Sequence, residues 1–311
     1  MAVDGTAVDG SPAAGSPAEG SPAEGGAAEG SPAEGRAAEG ATDRLTLAVL
    51  GAGKLGEALV SGMLRKGRMP QDVRITVRRP ERGKLLEERY GVRAVSTAEA
   101  AATSDVLLVT VKPQDVDVLV ADLAPHLAAG TLVISLAAGI PTAYYEKRLA
   151  PGIPVVRVMT NTPVLVDEAM SAISPGSHAE ERHLVLTEQL LRPVGAVVRV
   201  PESQQDAVTA LSGSGPAYFF YLVEAMIDAG ILLGLPRAVA AELLVQTALG
   251  AAVMLRDSGE HPVTLREAVT SPAGTTINAI RELEKHGVRA AFLAAIEAAR
   301  DRSCELGRLH Q

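Results

Sequence analysis

Two short segments carry residue types that could do chemistry. The first is Gly51-Ala52-Gly53-Lys54-Leu55-Gly56, which follows an apolar run and precedes a helix-period stretch. Glycine permits a tight turn and close approach of the backbone to a pyrophosphate, whose charge is stabilised by the free N–H groups of a helix N-terminus. In that context the spacing predicts a dinucleotide cleft built on Gly51, Gly53, Lys54, Leu55 and Gly56. The second segment is Ser271-Pro272-Ala273-Gly274-Thr275-Thr276, a loop opening onto another helix-period stretch. Its free amides suit a carboxylate; a plain Ser/Thr helix cap is the blander alternative.

The end of the second predicted strand selects the nucleotide. An acid there binds the ribose of NAD and repels a 2′-phosphate. Arg78 and Arg79 stand there instead. Guanidinium groups make charge-assisted bonds to phosphate, so NADPH is expected in preference to NADH; two solvated arginines are the plainer alternative. Val111-Lys112-Pro113 and Ala137-Ala138-Gly139 each follow a predicted strand. Loops at the carboxyl ends of parallel strands face the ligand crevice, and small residues at 137–139 would let a nicotinamide lie close to the backbone.

The elements that must position these residues show in the hydropathy pattern. Short apolar runs at 45–50, 73–77, 106–111, 132–136, 155–159, 169–174 and 196–200 alternate with helix-period stretches, which predicts βαβ units and a parallel sheet. After Asp206 apolar residues recur at helical spacing through 217–233, 238–255, 276–283 and 290–306. The expected fold is an α/β Rossmann-type doubly wound N-terminal domain (44–201) followed by an all-α C-terminal domain (202–311). Those helices are apolar on more than one face, which suggests burial between subunits as well as within one. The apolar run 217–235 contains Glu224, Asp228 and Gly230, so a buried helix is expected there and no transmembrane segment.

Residues 1–43 cycle through Ser-Pro-Ala-Glu-Gly pentads at 16–20, 21–25 and 31–35 and contain no aromatic residue. Such a segment cannot offset its conformational entropy by burial and is expected to be a disordered, low-complexity tail; it fits neither a secretory signal nor a transit peptide. It holds eight acids and one arginine, which accounts for −7 of the net charge of −8. The nearly neutral remainder offers no footprint for nucleic acid or for a membrane surface. Cys304 is the single cysteine, which implies no intramolecular disulfide and no thiolate metal site, and fits a reducing, cytoplasmic compartment.

Together these segments resemble the pyrroline-5-carboxylate reductase family. The resemblance is carried by residues 51–56, Val111-Lys112-Pro113, Ala137-Ala138-Gly139, Met159-Thr160-Asn161-Thr162-Pro163, Leu211-Ser212-Gly213-Ser214-Gly215-Pro216-Ala217-Tyr218 and the stretch 269–277, in the family's order across nearly the whole chain after Thr42. The stretches 211–218 and 269–277 are the most specific. The resemblance implies an oxidoreductase that reduces the C=N bond of 1-pyrroline-5-carboxylate with NADPH to give L-proline, the final step of proline biosynthesis. It implies that Ser271, Gly274 and Thr275 bind the substrate carboxylate, that Thr276 hydrogen-bonds the ring nitrogen as the catalytic residue, and that Glu202 and Val269 also belong to the substrate site. A homodimer with interlocked C-terminal helices follows from it, sometimes assembled into a decamer, with each site drawing on two chains.

The chain departs from the family in places. Thr97 and Ala268 stand where relatives carry asparagine, so no cofactor contact is carried onto them. Ala273 replaces a frequent second glycine, a change the loop tolerates unless its backbone needs positive φ. An imine nitrogen is basic enough to arrive protonated, so no general acid is assigned; His261, before Pro262, is expected in a turn. β-Hydroxyacid dehydrogenases also join a Rossmann domain to a helical one, but they use a helical lysine, and this chain has none between Lys147 and Lys285. A noncatalytic nucleotide sensor is the alternative from another class; NADPH binding without oxidation would mark it.

Overall fold

The computed structural model describes residues 45–308. The pentad-rich segment expected to be disordered lies outside them. Eight strands form one sheet: β1 (Leu47–Leu50), β2 (Val73–Thr76), β3 (Arg93–Ala94), β4 (Val106–Val109), β5 (Leu132–Ser135), β6 (Val155–Met159), β7 (Ala169–Pro175) and β8 (Gly195–Arg199), in the order β3-β2-β1-β4-β5-β6-β7-β8. All four residues of β1 are fully buried, as a strand covered on both faces requires. Alternation sends Leu47 and Val49 to one face and Ala48 and Leu50 to the other. Helices α1 (Lys54–Arg65) and α2 (Pro80–Tyr90) cover the first face through Leu59, Met63 and Leu86. The second face carries α3 (Thr97–Thr103), α4 (Val116–Leu123) and α5 (Thr142–Glu146), seated by Ala100, Leu119, Leu123 and Tyr145, while α6 (Glu181–Leu191) returns to the first face with Leu184 and Leu190.

Register positions the chemistry. Leu50 lies level with Thr76 on β2 and Val109 on β4, all parallel. The loops that begin at Gly51, Val77 and Thr110 therefore emerge side by side.

The sheet is not wholly parallel, contrary to the sequence expectation. β7 runs antiparallel to β6 and parallel to β8. The link from β6 to β7 is a 3₁₀ segment, Thr162–Val166, with short flanks; a parallel crossover needs about a dozen residues or more, so the strand turns back. The two-residue β3 at the sheet edge is too short to register as an apolar run.

Beyond β8 a 3₁₀ turn at Glu202–Gln204 leads into α7 (Gln205–Val208), a π-turn (Thr209–Gly213), α8 (Gly215–Leu232), α9 (Arg237–Ser258), α10 (Pro262–Ala268), α11 (Thr275–Lys285) and α12 (Val288–Arg308). The four expected helical stretches match α8, α9, α11 and α12, the first overrunning α8 by one residue at its C-cap, Leu233. α10 was not foreseen, and His261, expected in a turn, is its N-cap: its Nδ1 accepts from the Val263 amide at 3.3 Å. At the root of this helical region the fully buried Gln205 donates to Ala172 O and Ser174 Oγ of β7. Asp206 of α7 accepts from Ser303 Oγ at 2.7 Å and Cys304 Sγ at 3.3 Å, fastening the end of α12 to α7; the hydrogen bond to Cys304 pushes its thiol up from its ordinary range, with burial adding to it.

The expectation of a buried helix over 217–235 does not hold within the chain. Gly215 is the only buried residue of α8 and Ala240 the only one of α9. Phe219, Phe220, Tyr221, Leu243, Val245 and Leu249 are all more than half exposed. The stretch Glu202–Leu232 and the helix Arg237–Ser258 are each long and apolar enough to cross a membrane. Of the two burials that the patterning suggested, within one subunit and between subunits, the first is not met for α8 and α9.

Candidate active site

The glycine segment forms the tight turn its composition predicts. The amides of Gly51 and Ala52 both donate to Thr76 O, at 3.1 and 2.9 Å, and Thr110 Oγ1 donates to Leu50 O and Gly51 O. Gly51 has φ +91°. A Cβ there would stand 2.5 Å from Val111 Cγ1 and 3.1 Å from Val111 N; one on Gly56 would stand 2.9 Å from Thr110 Oγ1 and 3.0 Å from Val49 Cγ1. These two glycines are required by the protein's own packing. Gly53 is different, because a Cβ there meets only Gly51 O at 3.8 Å.

Gly53 opens α1 without a side-chain cap, and the Glu57 amide is the one that bonds back to Gly53 O. The amides of Lys54, Leu55 and Gly56 are left for a ligand. The turn before them borders a cleft of about 230 Å³ lined by Gly51, Ala52, Gly53, Val77, Arg78, Arg79, Arg82, Thr110, Val111, Lys112 and Asp115; Lys54, Leu55 and Gly56 are not among its lining residues. Its residues fit a dinucleotide phosphate, since four cations, Arg78, Arg79, Arg82 and Lys112, face a single acid, Asp115. Arg78 Nη1 donates to Asp115 Oδ1 at 3.1 Å. Arg79 and Lys112 have no ion-pair partner among the described residues.

Sequence reading missed Arg82, whose Nε reaches Ala52 O at 3.4 Å and whose guanidinium pairs with Glu57. Its position three residues past Arg79, on the first turn of α2, is the signal that could have found it. Burial disfavours the Glu57 carboxylate, but hydrogen bonds from Arg82 and Tyr90 and the charges of Arg82 and Arg89 outweigh it and hold the carboxyl below its usual range.

Pro113 opens the 3₁₀ turn after Lys112. Ala137 and Gly139 are buried and Ala138 is exposed. Gly139, with φ +77°, belongs to a second hollow of about 260 Å³ shared with Pro141, Arg157, Asp206, Cys304, Gly307 and Arg308. Glu202 has both carboxylate oxygens engaged: Thr142 N donates to Oε1 at 2.8 Å, Thr142 Oγ1 to Oε2 at 2.7 Å, and Arg157 to Oε1 at 3.3 Å. Two of the quoted motifs touch, since Asn161 Nδ2 donates to Ser212 O at 3.3 Å.

The 271–276 loop is exposed except at Gly274 and Thr276, which are half-buried. The helix starts at Thr275, so Thr275 and Thr276 occupy its first turn. Gly274 is its N-cap and supplies no side chain, whereas Ser96 caps α3 and His261 caps α10. A Cβ on Gly274 would stand 2.4 Å from Ser271 Oγ. The start of α11 thus has no side-chain cap, and the Thr276 hydroxyl has no hydrogen-bond partner among the described residues. Val269, just past α10, is exposed. Neither hollow includes any residue of this loop.

Ala273 has φ +56°, so the exception noted for this position applies. The left-handed region costs a side-chain-bearing residue about 1–2 kcal/mol, and glycine gives back about 0.5–1 kcal/mol in chain entropy. Ala273→Gly is therefore expected to raise unfolding stability by about 0.5–1 kcal/mol in urea titration; a loss of stability would show that the strain is not relieved there.

Comparison with known proteins gives the family. A family model described as pyrroline-5-carboxylate reductase dimerisation matches residues 202–306, and one described as NADP oxidoreductase, coenzyme F420-dependent, matches residues 46–139. The pyrroline-5-carboxylate reductase of Corynebacterium melassecola is 46% identical over 267 residues, which is 85% of this chain and 99% of that protein. A solved pyrroline-5-carboxylate reductase from Coxiella burnetii superposes with a TM-score of 0.81 at 35% identity, covering 84% of this chain and 98% of the other. The Plasmodium falciparum pyrroline carboxylate reductase, solved with NADP bound, gives 0.76 at 26% identity, over 85% and 99% of the two chains. The fold, the glycine cleft and these likenesses over nearly the full length of known members show that the chain belongs to the pyrroline-5-carboxylate reductase family.

Proposed function

We propose that this protein reduces the C=N bond of 1-pyrroline-5-carboxylate to L-proline, with NADPH preferred over NADH, as the final step of proline biosynthesis in the cytoplasm. The observation that carries the reading is the uncapped start of α11 behind Gly274 and Ser271, a carboxylate-sized set of donors in a chain that also holds a dinucleotide cleft. When bound, NADPH supplies the hydride that reaches the imine carbon. The turn at Gly51, Gly53 and Gly56 and the amides of Lys54 and Leu55 hold the pyrophosphate; Arg78 and Arg79 meet the 2′-phosphate. Val111, Lys112 and Pro113 border the cofactor, and the small residues Ala137, Ala138 and Gly139 leave room for its ring. Ser271, Gly274 and Thr275 bind the substrate carboxylate, Val269 and Glu202 flank it, and the Thr276 hydroxyl orients the ring nitrogen.

Because neither the glycine cleft nor the hollow at Gly139 is lined by any residue of the 271–276 loop, the site forms when the exposed faces of α8 and α9 pack against a second copy, and dimers of this kind stack further into a decamer. The division into a cofactor domain at 44–201 and a dimerisation domain at 202–311 belongs to the same reading. The test is turnover of 1-pyrroline-5-carboxylate by the full chain with NADPH and with NADH, read by nicotinamide absorbance, with proline identified as product. Arg78→Ala combined with Arg79→Ala is expected to lower the NADPH-to-NADH ratio of kcat/KM by at least about tenfold, since two charge-assisted contacts are lost. An unchanged ratio would remove the arginines from the reading, and absence of proline would remove the substrate.

A further inference from the structure

We propose that Asp115 is a specificity-determining residue that limits how strongly the cleft prefers a 2′-phosphorylated nucleotide. The inference rests on the reading that Arg78 meets the 2′-phosphate. The cleft's charged lining consists of Arg78, Arg79, Arg82 and Lys112 against one acid, Asp115. Arg82 is already answered by Glu57, behind the cleft. Arg79 and Lys112 have no ion-pair partner among the described residues. Arg78 alone shares its guanidinium with an acid inside the cleft, at 3.1 Å.

The two partners are unequal. The Asp115 side chain is 29% exposed and sits in a 3₁₀ turn closed by its own amide on Lys112 O at 2.9 Å, whereas the Arg78 side chain is 82% exposed. The acid is the more enclosed partner and the arginine the more exposed one. A phosphate that approaches Arg78 therefore meets a carboxylate already on the same guanidinium, and the two anions divide one cation's charge. A ribose hydroxyl in the same place meets a hydrogen-bond acceptor instead, the chemistry by which an acid at this crevice favours NAD. Asp115 thus pulls the cleft toward the unphosphorylated nucleotide while the arginines pull it the other way.

The test measures binding, apart from turnover. Calorimetry on the full chain would give Kd for NADP⁺, NAD⁺, 2′,5′-ADP and 5′-AMP, in the parent and in Asp115→Asn. The substitution keeps the side chain's size and removes its charge, and among the described residues the carboxylate has no partner other than Arg78, so folding is not at issue. We expect NADP⁺ and 2′,5′-ADP to bind about three- to tenfold more tightly relative to their unphosphorylated counterparts, the size of one exposed charge's influence. The gain should shrink at high salt. A ratio that stays the same or falls overturns the inference. Arg78→Ala separates the two layers: if it leaves the parent's ratio unchanged, the reading of Arg78 has failed; if it lowers the ratio while Asp115→Asn does not raise it, only the role of Asp115 has failed.

Discussion

A chain carrying Gly53→Ala is expected to melt within about 3 °C of the parent and to bind NADPH at least about tenfold more weakly. The expectation comes from asking what each glycine of the 51–56 segment is for. Gly51 and Gly56 are held by Val111, Thr110 and Val49, so alanine at either would strain the fold itself. Gly53 sits at φ −78° and ψ −152°, open to any residue, and its added methyl would meet nothing closer than 3.8 Å. Alanine is a poorer N-cap than glycine by several tenths of a kcal/mol, but it also removes about 0.4–1 kcal/mol of unfolded-chain entropy, so the two nearly cancel. Nothing in the protein needs Gly53 to be bare, which leaves a ligand's backbone approach as the reason. Measured by thermal melting and fluorescence titration, unchanged affinity would mean that the space before Gly53 does not belong to the pyrophosphate.

The second large effect concerns Thr276. Thr276→Ala should lower kcat/KM for 1-pyrroline-5-carboxylate by about a hundredfold, the usual consequence of deleting one hydrogen-bond donor at a reacting centre, while the NADPH Kd stays put. The hydroxyl lies outside the dinucleotide cleft, so a loss of cofactor affinity would argue against its assignment. Pairing this variant with Gly53→Ala tests how the site is assembled. If one chain supplies the cleft and its partner the 271–276 loop, a mixed dimer has one site with both parts intact and one with both damaged. Random mixing by unfolding and refolding together should then recover about a quarter of the parent activity at NADPH concentrations too low to load the Gly53→Ala cleft. No recovery above the sum of the two variants would place the whole site in one chain.

Much of this molecule can be read without coordinates, because its strongest signals are local. The glycine turn, the arginines after β2 and the helix period beyond Asp206 each sit within a few residues, and the structure puts strands and helices there. What escaped was set by partners far along the chain. Arg78 and Asp115 are 37 residues apart and Glu202 and Thr142 are 60 apart, and no spacing rule joins them. The reversal of β7 was invisible because apolar alternation is the same in either strand direction. The left-handed backbone at Ala273 was also hidden, since alanine there signals the opposite. The exposure of α8 and α9 belongs to yet another class, for apolar residues on more than one face suggested burial both within and between subunits, and the pattern does not say how much of each.

Glu202, Gln205 and Asp206 lie within about one turn and a half of chain, yet they reach the start of α5, the middle of β7 and the end of α12 respectively. The bond from Ser303 to Asp206 closes a span of 97 residues, so everything between forms an arm whose two ends meet in one clasp on the sheet. The arm thus leaves and rejoins the cofactor half at neighbouring points, while α8 and α9, between those points, keep their apolar side chains largely exposed.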